Sequence, residues 1–297
     1  MMPEVSAQAA GRSSEADAAQ ALASFRNSHP SRSLEIEGVS WSYRAGGAGG
    51  IPLLLLPGLQ GVGEASFELM EQFERTRRVI APSYPTEAIT MRALANGAAT
   101  ILEAEGGIAA HVRGASFGGL VAQWLVRLAP QKVRSLVLSH TGAPNAAQAQ
   151  ANRRVLGMLR LTPAGWVSAL MRATSERALA PLAPERLEFW RAVNAELLHD
   201  FTKHTVLARY RAAIDFDRMS NFSADDLRAW PGRILILEGD DDPLVEAPAR
   251  AALRALYPQA QVHVFHGAGH AAAMADVSAY VQVIEKWLDE AENQTHG

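Results

Sequence analysis

Residues 109–130 read Ala-Ala-His-Val-Arg-Gly-Ala-Ser-Phe-Gly-Gly-Leu-Val-Ala-Gln-Trp-Leu-Val-Arg-Leu-Ala-Pro, and this stretch decides the fold. Ala109–Val112 is a candidate buried strand, weak in its own pattern and placed partly by its neighbours. Gly114-Ala115-Ser116-Phe117-Gly118-Gly119 is a glycine-rich turn of the form G-x-S-x-G. From there Leu120, Val121, Trp124, Leu125 and Leu128 keep one apolar face at helical spacing until Pro130 stops the turn. A serine at so sharp a strand-to-helix turn is held in strained backbone geometry, and flanking glycines keep side chains from colliding there. The amino terminus of the helix stabilises negative charge close by. A glycine-rich turn that merely caps a helix with serine has the same letters, so the rest of the chain must arbitrate.

Outward from the turn, short apolar runs alternate with longer amphipathic stretches, the mark of an α/β sheet built from crossover units. Leu34–Tyr43 reads as an edge hairpin. The glycine-rich turn Gly46–Gly50 leads into Leu53–Leu56, a continuous apolar run typical of a strand buried on both faces. Val79–Ala81, Val133–Leu138, Ile234–Leu237 and Val262–Phe265 complete a sheet of about eight mostly parallel strands. Val277, Tyr280, Val281, Ile284, Trp287 and Leu288 share a face of a last helix. Residues 145–225 carry no good strand but many apolar positions at helical spacing, and read as an inserted helical cap. Extra packing helices without a role in a site are the plainer account of such a segment. The expected organisation is thus a mobile segment over 1–33, a core formed by 34–144 and 226–297, and a cap over 145–225.

The composition excludes several classes of function. The chain has 297 residues, 48% of them hydrophobic and 20% charged, which suffices for a sizeable core. A formal net charge of −3 offers no basic excess for a phosphate backbone, so no nucleic-acid partner is expected. Cysteine is absent, which removes thiolate metal sites, iron–sulfur clusters and a cysteine nucleophile. No apolar run approaches the ~20 residues of a membrane span, and the first 24 residues lack the apolar stretch of a secretory signal. A cytoplasmic location is the expectation.

A serine hydroxyl is a poor nucleophile until a base takes its proton, so the turn calls for a histidine and an acid to orient it. After Ile234–Leu237 comes Gly239-Asp240-Asp241-Asp242-Pro243, and after Val262–Phe265 comes Gly267-Ala268-Gly269-His270. Each loop follows the carboxyl end of a strand, where sites collect in open α/β sheets. The chain order is serine, acid, histidine.

These segments resemble the α/β-hydrolase superfamily of serine hydrolases, from about residue 34 to 292. Leu53–Gly58, Gly114–Gly119, Leu237–Val245 and Gly267–His270 stand where that superfamily carries its oxyanion loop, nucleophile, acid and histidine. The resemblance implies Ser116 as nucleophile, His270 as base and Asp242, third after the glycine, as acid, with Asp240 and Asp241 as alternatives if the loop registers differently. It implies an oxyanion hole from the N–H groups of Phe117 and Leu59, with Gln60 beside it. His140 stands at the end of another strand, where it can line the pocket, and Trp166 of the cap is a further substrate-binding candidate. The chain departs from the commonest pattern at Pro57-Gly58, where relatives have His-Gly. At Ser83-Tyr84-Pro85, together with Gly114–Gly119, it is similar to the maspardin branch, whose vertebrate member is regarded as a binding partner rather than a working hydrolase.

Competing chemistries fit less well. His263 and His266 with His270 are not a helical metal pair, no nucleotide-binding glycine motif follows any strand, and Gly46–Gly50 precedes a strand instead of a helix. Neither metal nor cofactor is implied. The expected function is hydrolysis of a carboxylic ester or related acyl bond of a small, largely apolar substrate, through an acyl-enzyme on Ser116. A lactonase or C–C bond hydrolase using the same triad, or a non-catalytic maspardin-like binding protein, are the alternatives. Sequence alone sets no oligomeric state.

Overall fold

The computed structural model describes residues 15–293 apart from 200 and 220. Eight strands form one sheet: β1 (Arg32–Ile36), β2 (Val39–Gly46), β3 (Leu53–Leu56), β4 (Val79–Ser83), β5 (Ala110–Ala115), β6 (Val133–Ser139), β7 (Arg233–Gly239) and β8 (Gln261–Phe265). Their spatial order is β1-β2-β4-β3-β5-β6-β7-β8. β2 is antiparallel to both β1 and β4, and every other pairing is parallel. The α/β architecture expected from the alternation is therefore present. β3 is wholly buried because helices cover both faces of the sheet, which is why its four leucines show no polar alternation.

Side-chain alternation divides the apolar residues between two cores. Leu54, Leu56, Val112, Leu136 and Ile236 point toward α3 (Met91–Ala104) and α4 (Phe117–Leu128). Leu53, Leu55, Val137, Leu235 and Leu237 point the other way. There they meet α1 (Glu15–Ser28), α2 (Phe67–Phe73), α7 (Pro184–Leu197) and α11 (Val277–Asn293). Among the described residues four α-helices intervene between β6 and β7: α5 (Ala146–Leu161), α6 (Ala164–Leu179), α7 and α8 (Lys203–Asp217). Short helices α9 (Ala247–Leu256) and α10 (Ala272–Ala275) follow β7 and β8.

The expectation of a mobile segment over 1–33 is corrected for its second half; residues 1–14 lie outside the described residues. Ala18, Ala21, Leu22 and Phe25 form an i, i+3, i+4, i+7 stripe on α1 that is buried against the rest of the protein. Phe25 packs 5.9 Å from the Phe67 ring, and Arg26 pairs with Glu64 at 2.5 Å. Residues 32–33 already belong to β1. Two of the stripe's four positions are alanine, so the burial that anchors the helix carries little weight in the composition.

Candidate active site

Ser116 follows the last residue of β5 and precedes the first of α4, with φ +50° and ψ −116°, a conformation that costs a non-glycine residue about 1–3 kcal/mol. The surroundings hold it there. Its N–H donates to the Ser139 carbonyl at 2.8 Å, and the Thr141 hydroxyl donates to its own carbonyl at 2.8 Å. A Cβ at Gly118 would collide with the backbone carbonyl oxygens of Leu56 and Pro57, and one at Gly114 with the Gly118 carbonyl. The two glycines therefore let three backbone segments close on the serine.

The acid and histidine loops press against each other in the same way, since a Cβ at Gly239 would strike the Gly269 carbonyl. The three aspartates left open by the sequence have separate partners. Asp240 accepts from the Gly267 N–H at 3.1 Å and pairs with His266 at 2.7 Å. Asp241 accepts from the Gly269 N–H at 2.8 Å. Asp242 alone meets His270, with Nδ1 at 2.8 Å from Oδ2 and 3.1 Å from Oδ1. Burial of the Asp242 side chain, 1% exposed, pushes its carboxyl up, but His270 and the N–H groups of Leu244 and Val245 outweigh that and hold it below the ordinary value. A carboxylate so fixed engages Nδ1 and leaves Nε2 as the ring nitrogen of His270 outside this pairing.

Ser116 and His270 line one cavity of about 230 Å³ without a direct hydrogen bond between their side chains. Leu59, Gln60 and His140 line it too, while Phe117 is buried beside it as the first residue of α4. As a first-turn residue Phe117 presents an N–H with no intrahelical acceptor. Gln60 also borders a second, more polar cavity of about 460 Å³, together with Arg44, Tyr84 and Arg209. His140 has φ +48° and is almost wholly buried, its ring set edge-on to His270 at 5.7 Å between centroids. Burial, with the His270 ring as the next largest cause, drives its pKa down to about 3, so it is neutral at neutral pH.

Trp166 is a correction. It is 75% exposed on the outer side of α6, on the same face as exposed Leu170, and is not among the residues that line the cavity. The wall from α6 is built instead by Met171, Thr174, Ser175 and Ala178, and that from α7 by Trp190 and Asn194. Trp166 lies on the wrong side because α6 is apolar on two adjoining stripes. Sequence reasoning also passed over Arg113, which lines the cavity from β5. Its signal was a basic residue directly after Val112, between a strand read as buried and the glycine-rich turn.

With this geometry in hand, the model of the α/β hydrolase fold matches residues 51–276. The chain belongs to the α/β hydrolase fold family. Among its relatives is the 2-hydroxymuconate semialdehyde hydrolase of Pseudomonas putida, 28% identical over 280 residues, covering 82% of this chain and 89% of that one. A thermophilic esterase from Thermogutta terrifontis superposes with a TM-score of 0.71 at 23% identity, covering 88% of this chain and 98% of that one. The meta-cleavage product hydrolase of Pseudomonas fluorescens IP01 superposes with a TM-score of 0.63 at 20% identity, with coverage of 88% and 98%. A hydrolase fold implies a small-molecule substrate, and among the described residues no helix is long and apolar enough to cross a membrane.

Proposed function

We propose that this α/β hydrolase cleaves a carboxylic ester, or a related acyl bond, of a small and largely apolar substrate through an acyl-enzyme on Ser116. The observation that carries the reading is the 2.8 Å Asp242–His270 pair on the wall of the cavity that also receives the strained Ser116. On substrate binding His270 Nε2 takes the Ser116 proton as Oγ attacks the carbonyl carbon. The backbone N–H groups of Leu59 and Phe117 receive the negative charge of the tetrahedral intermediate. His270 gives the proton to the departing alcohol, then takes one from water, whose oxygen attacks the acyl carbon; the proton returns to Ser116 Oγ as the acid leaves. Asp242 stays ionised and stabilises the imidazolium formed in each half. Gln60 and His140 contact the substrate, and residues 145–225 serve as its cap, with Leu59, Leu69, Met171, Leu179 and Leu244 supplying apolar walls.

The kinship with a 2-hydroxymuconate semialdehyde hydrolase favours a second reading, C–C bond cleavage with the same three residues. One experiment tests both. The enzyme is mixed with 4-nitrophenyl esters, lactones and 1,3-diketones, quenched during turnover, and examined by peptide mass spectrometry. An acyl adduct on Ser116 from an ester, with a burst of 4-nitrophenol, is the expected result. Turnover of diketones alone would move the assignment to C–C hydrolysis. No adduct and no turnover from a folded protein would overturn it.

A further inference from the structure

The inner end of the cavity holds a charge that the acyl-transfer reading does not use. Arg113 is 5% exposed, and among the described residues no carboxylate lies within ion-pair distance of it. Its Nε and Nη2 both donate to the Tyr280 hydroxyl, at 3.0 and 2.9 Å, and among the described residues no acceptor takes Nη1 on a side chain that lines the cavity. The carboxylates close to this cavity are already engaged. Glu68 is held by both nitrogens of the Arg186 fork, at 2.6 and 3.1 Å, and Asp242 by His270. A guanidinium cannot shed its proton to escape burial, so a buried one without an anion is unfavourable until something negative joins it.

The bonds running from Arg113 also settle a proton. Because Arg113 only donates, the Tyr280 hydroxyl accepts from it and donates its own hydrogen to Ser139 Oγ at 2.7 Å. Ser139 Oγ lies 2.9 Å from His140 Nδ1, which is the one acceptor available to its hydrogen among the described residues, so Ser139 donates there. The neutral His140 therefore carries its hydrogen on Nε2, which is buried and has no hydrogen-bond partner among the described residues. The same wall thus contains a cation without an anion and an N–H that makes no well-formed hydrogen bond, with the Gly269 backbone its nearest acceptor. Both deficits are met by one kind of group.

We propose that Arg113 and His140 form an oxyanion-accepting floor, so that the substrate carries a carboxylate in addition to its scissile acyl bond. This rests on the reading of Ser116 as nucleophile and adds a charged end to an otherwise apolar ligand. Its test compares 4-nitrophenyl hydrogen glutarate with 4-nitrophenyl valerate, two esters of equal acyl length that differ in one terminal carboxylate. The ratio of kcat/KM, charged over neutral, is expected to be about tenfold or more in the wild type. Arg113→Met brings it close to one, and Arg113→Lys, which keeps the charge, retains most of it. A wild-type ratio of one or below overturns the proposal.

Calorimetric titration with glutarate needs no turnover and decides the matter even where a variant is inactive. Binding by the wild type that weakens about tenfold in Arg113→Met supports the floor, and no detectable binding by the wild type overturns it. Fluorophosphonate labelling separates the two layers of argument. Glutarate binding without labelling of Ser116 would sink the acyl-enzyme reading and leave the floor standing, whereas labelling without any preference for the charged ester would do the reverse.

Discussion

The loops after β5, β7 and β8 and the helices α6 and α7 build different walls of the same cavity, and they are specified by different physics. In the loops each site residue is fixed by backbone: glycines that admit a neighbouring carbonyl, a serine at φ +50°, an aspartate pinned by two N–H groups. In the helices the wall is made of side chains on regular backbone, and their exposure is set by which stripe of each helix turns inward. A loop of the first kind can do one thing and fails when altered. A helical wall of the second kind can be redecorated, which suits a surface that chooses the substrate.

The largest expected effect tests the loop side. Ser116→Ala should lower kcat for any ester by on the order of a millionfold with the fold intact, since triad members act as a unit. Steady-state kinetics and a thermal melt measure both. Next come the adjoining aspartates. Asp242→Asn should cost on the order of ten-thousandfold in kcat by leaving His270 in the wrong tautomer. Asp241→Asn, whose amide oxygen still accepts from the Gly269 N–H, should cost less than about tenfold. Equal losses from the two would mean that the loop registers differently.

On the helical side, Trp190, 2% exposed at the cavity wall, should cost about 3–5 kcal/mol of stability when truncated to Ala. Trp166→Ala on the outer face should stay within about 0.5 kcal/mol. Chemical unfolding compares them, and similar losses would break the assignment of inner and outer stripes.

Two buried groups outside these loops and helices respond to acid with opposite sign. Burial raises the Asp217 carboxyl at the end of α8 to about 6, against the pull of the Asn145 N–H and the Asn152 amide. The unfolded chain therefore releases this proton first, and stability from this group is lost as pH climbs from about 4 to about 6. His140 works the other way: its depressed pKa contributes stability that is full above the unfolded value near 6.5 and fades as pH falls toward 3. Asp217→Asn should accordingly stabilise the protein at pH 7 by about 1–3 kcal/mol, the lower figure allowing for solvent screening, and by much less at pH 4. A Tm difference that does not change between these two pH values would contradict the assignment.

These contrasts explain what the sequence revealed. The strands, the serine turn and the order of acid and histidine were legible because each follows a local rule of period, glycine placement or loop position. The choice of Asp242 over Asp240 and Asp241 came from the resemblance and not from a local rule, because it depends on which carboxylate faces a loop that arrives 28 residues later. On α6, Trp166 and Leu170 point outward while Val167 and Met171, one residue on, point in. Both stripes are apolar, so periodicity had no means of choosing between them. The true wall continues through Thr174, Ser175 and Ala178 at helical spacing, positions whose small or polar side chains leave no apolar trace. The buried stripe of α1 was hidden likewise by its alanines.

The most direct test of the central claim is covalent labelling with a fluorophosphonate, followed by peptide mass spectrometry, in the wild type and in Asp242→Asn and His270→Ala. The account predicts one modified residue, Ser116, at a rate that collapses in both variants. Labelling elsewhere, labelling of Ser116 that ignores both variants, or none at all in the folded wild type would contradict it.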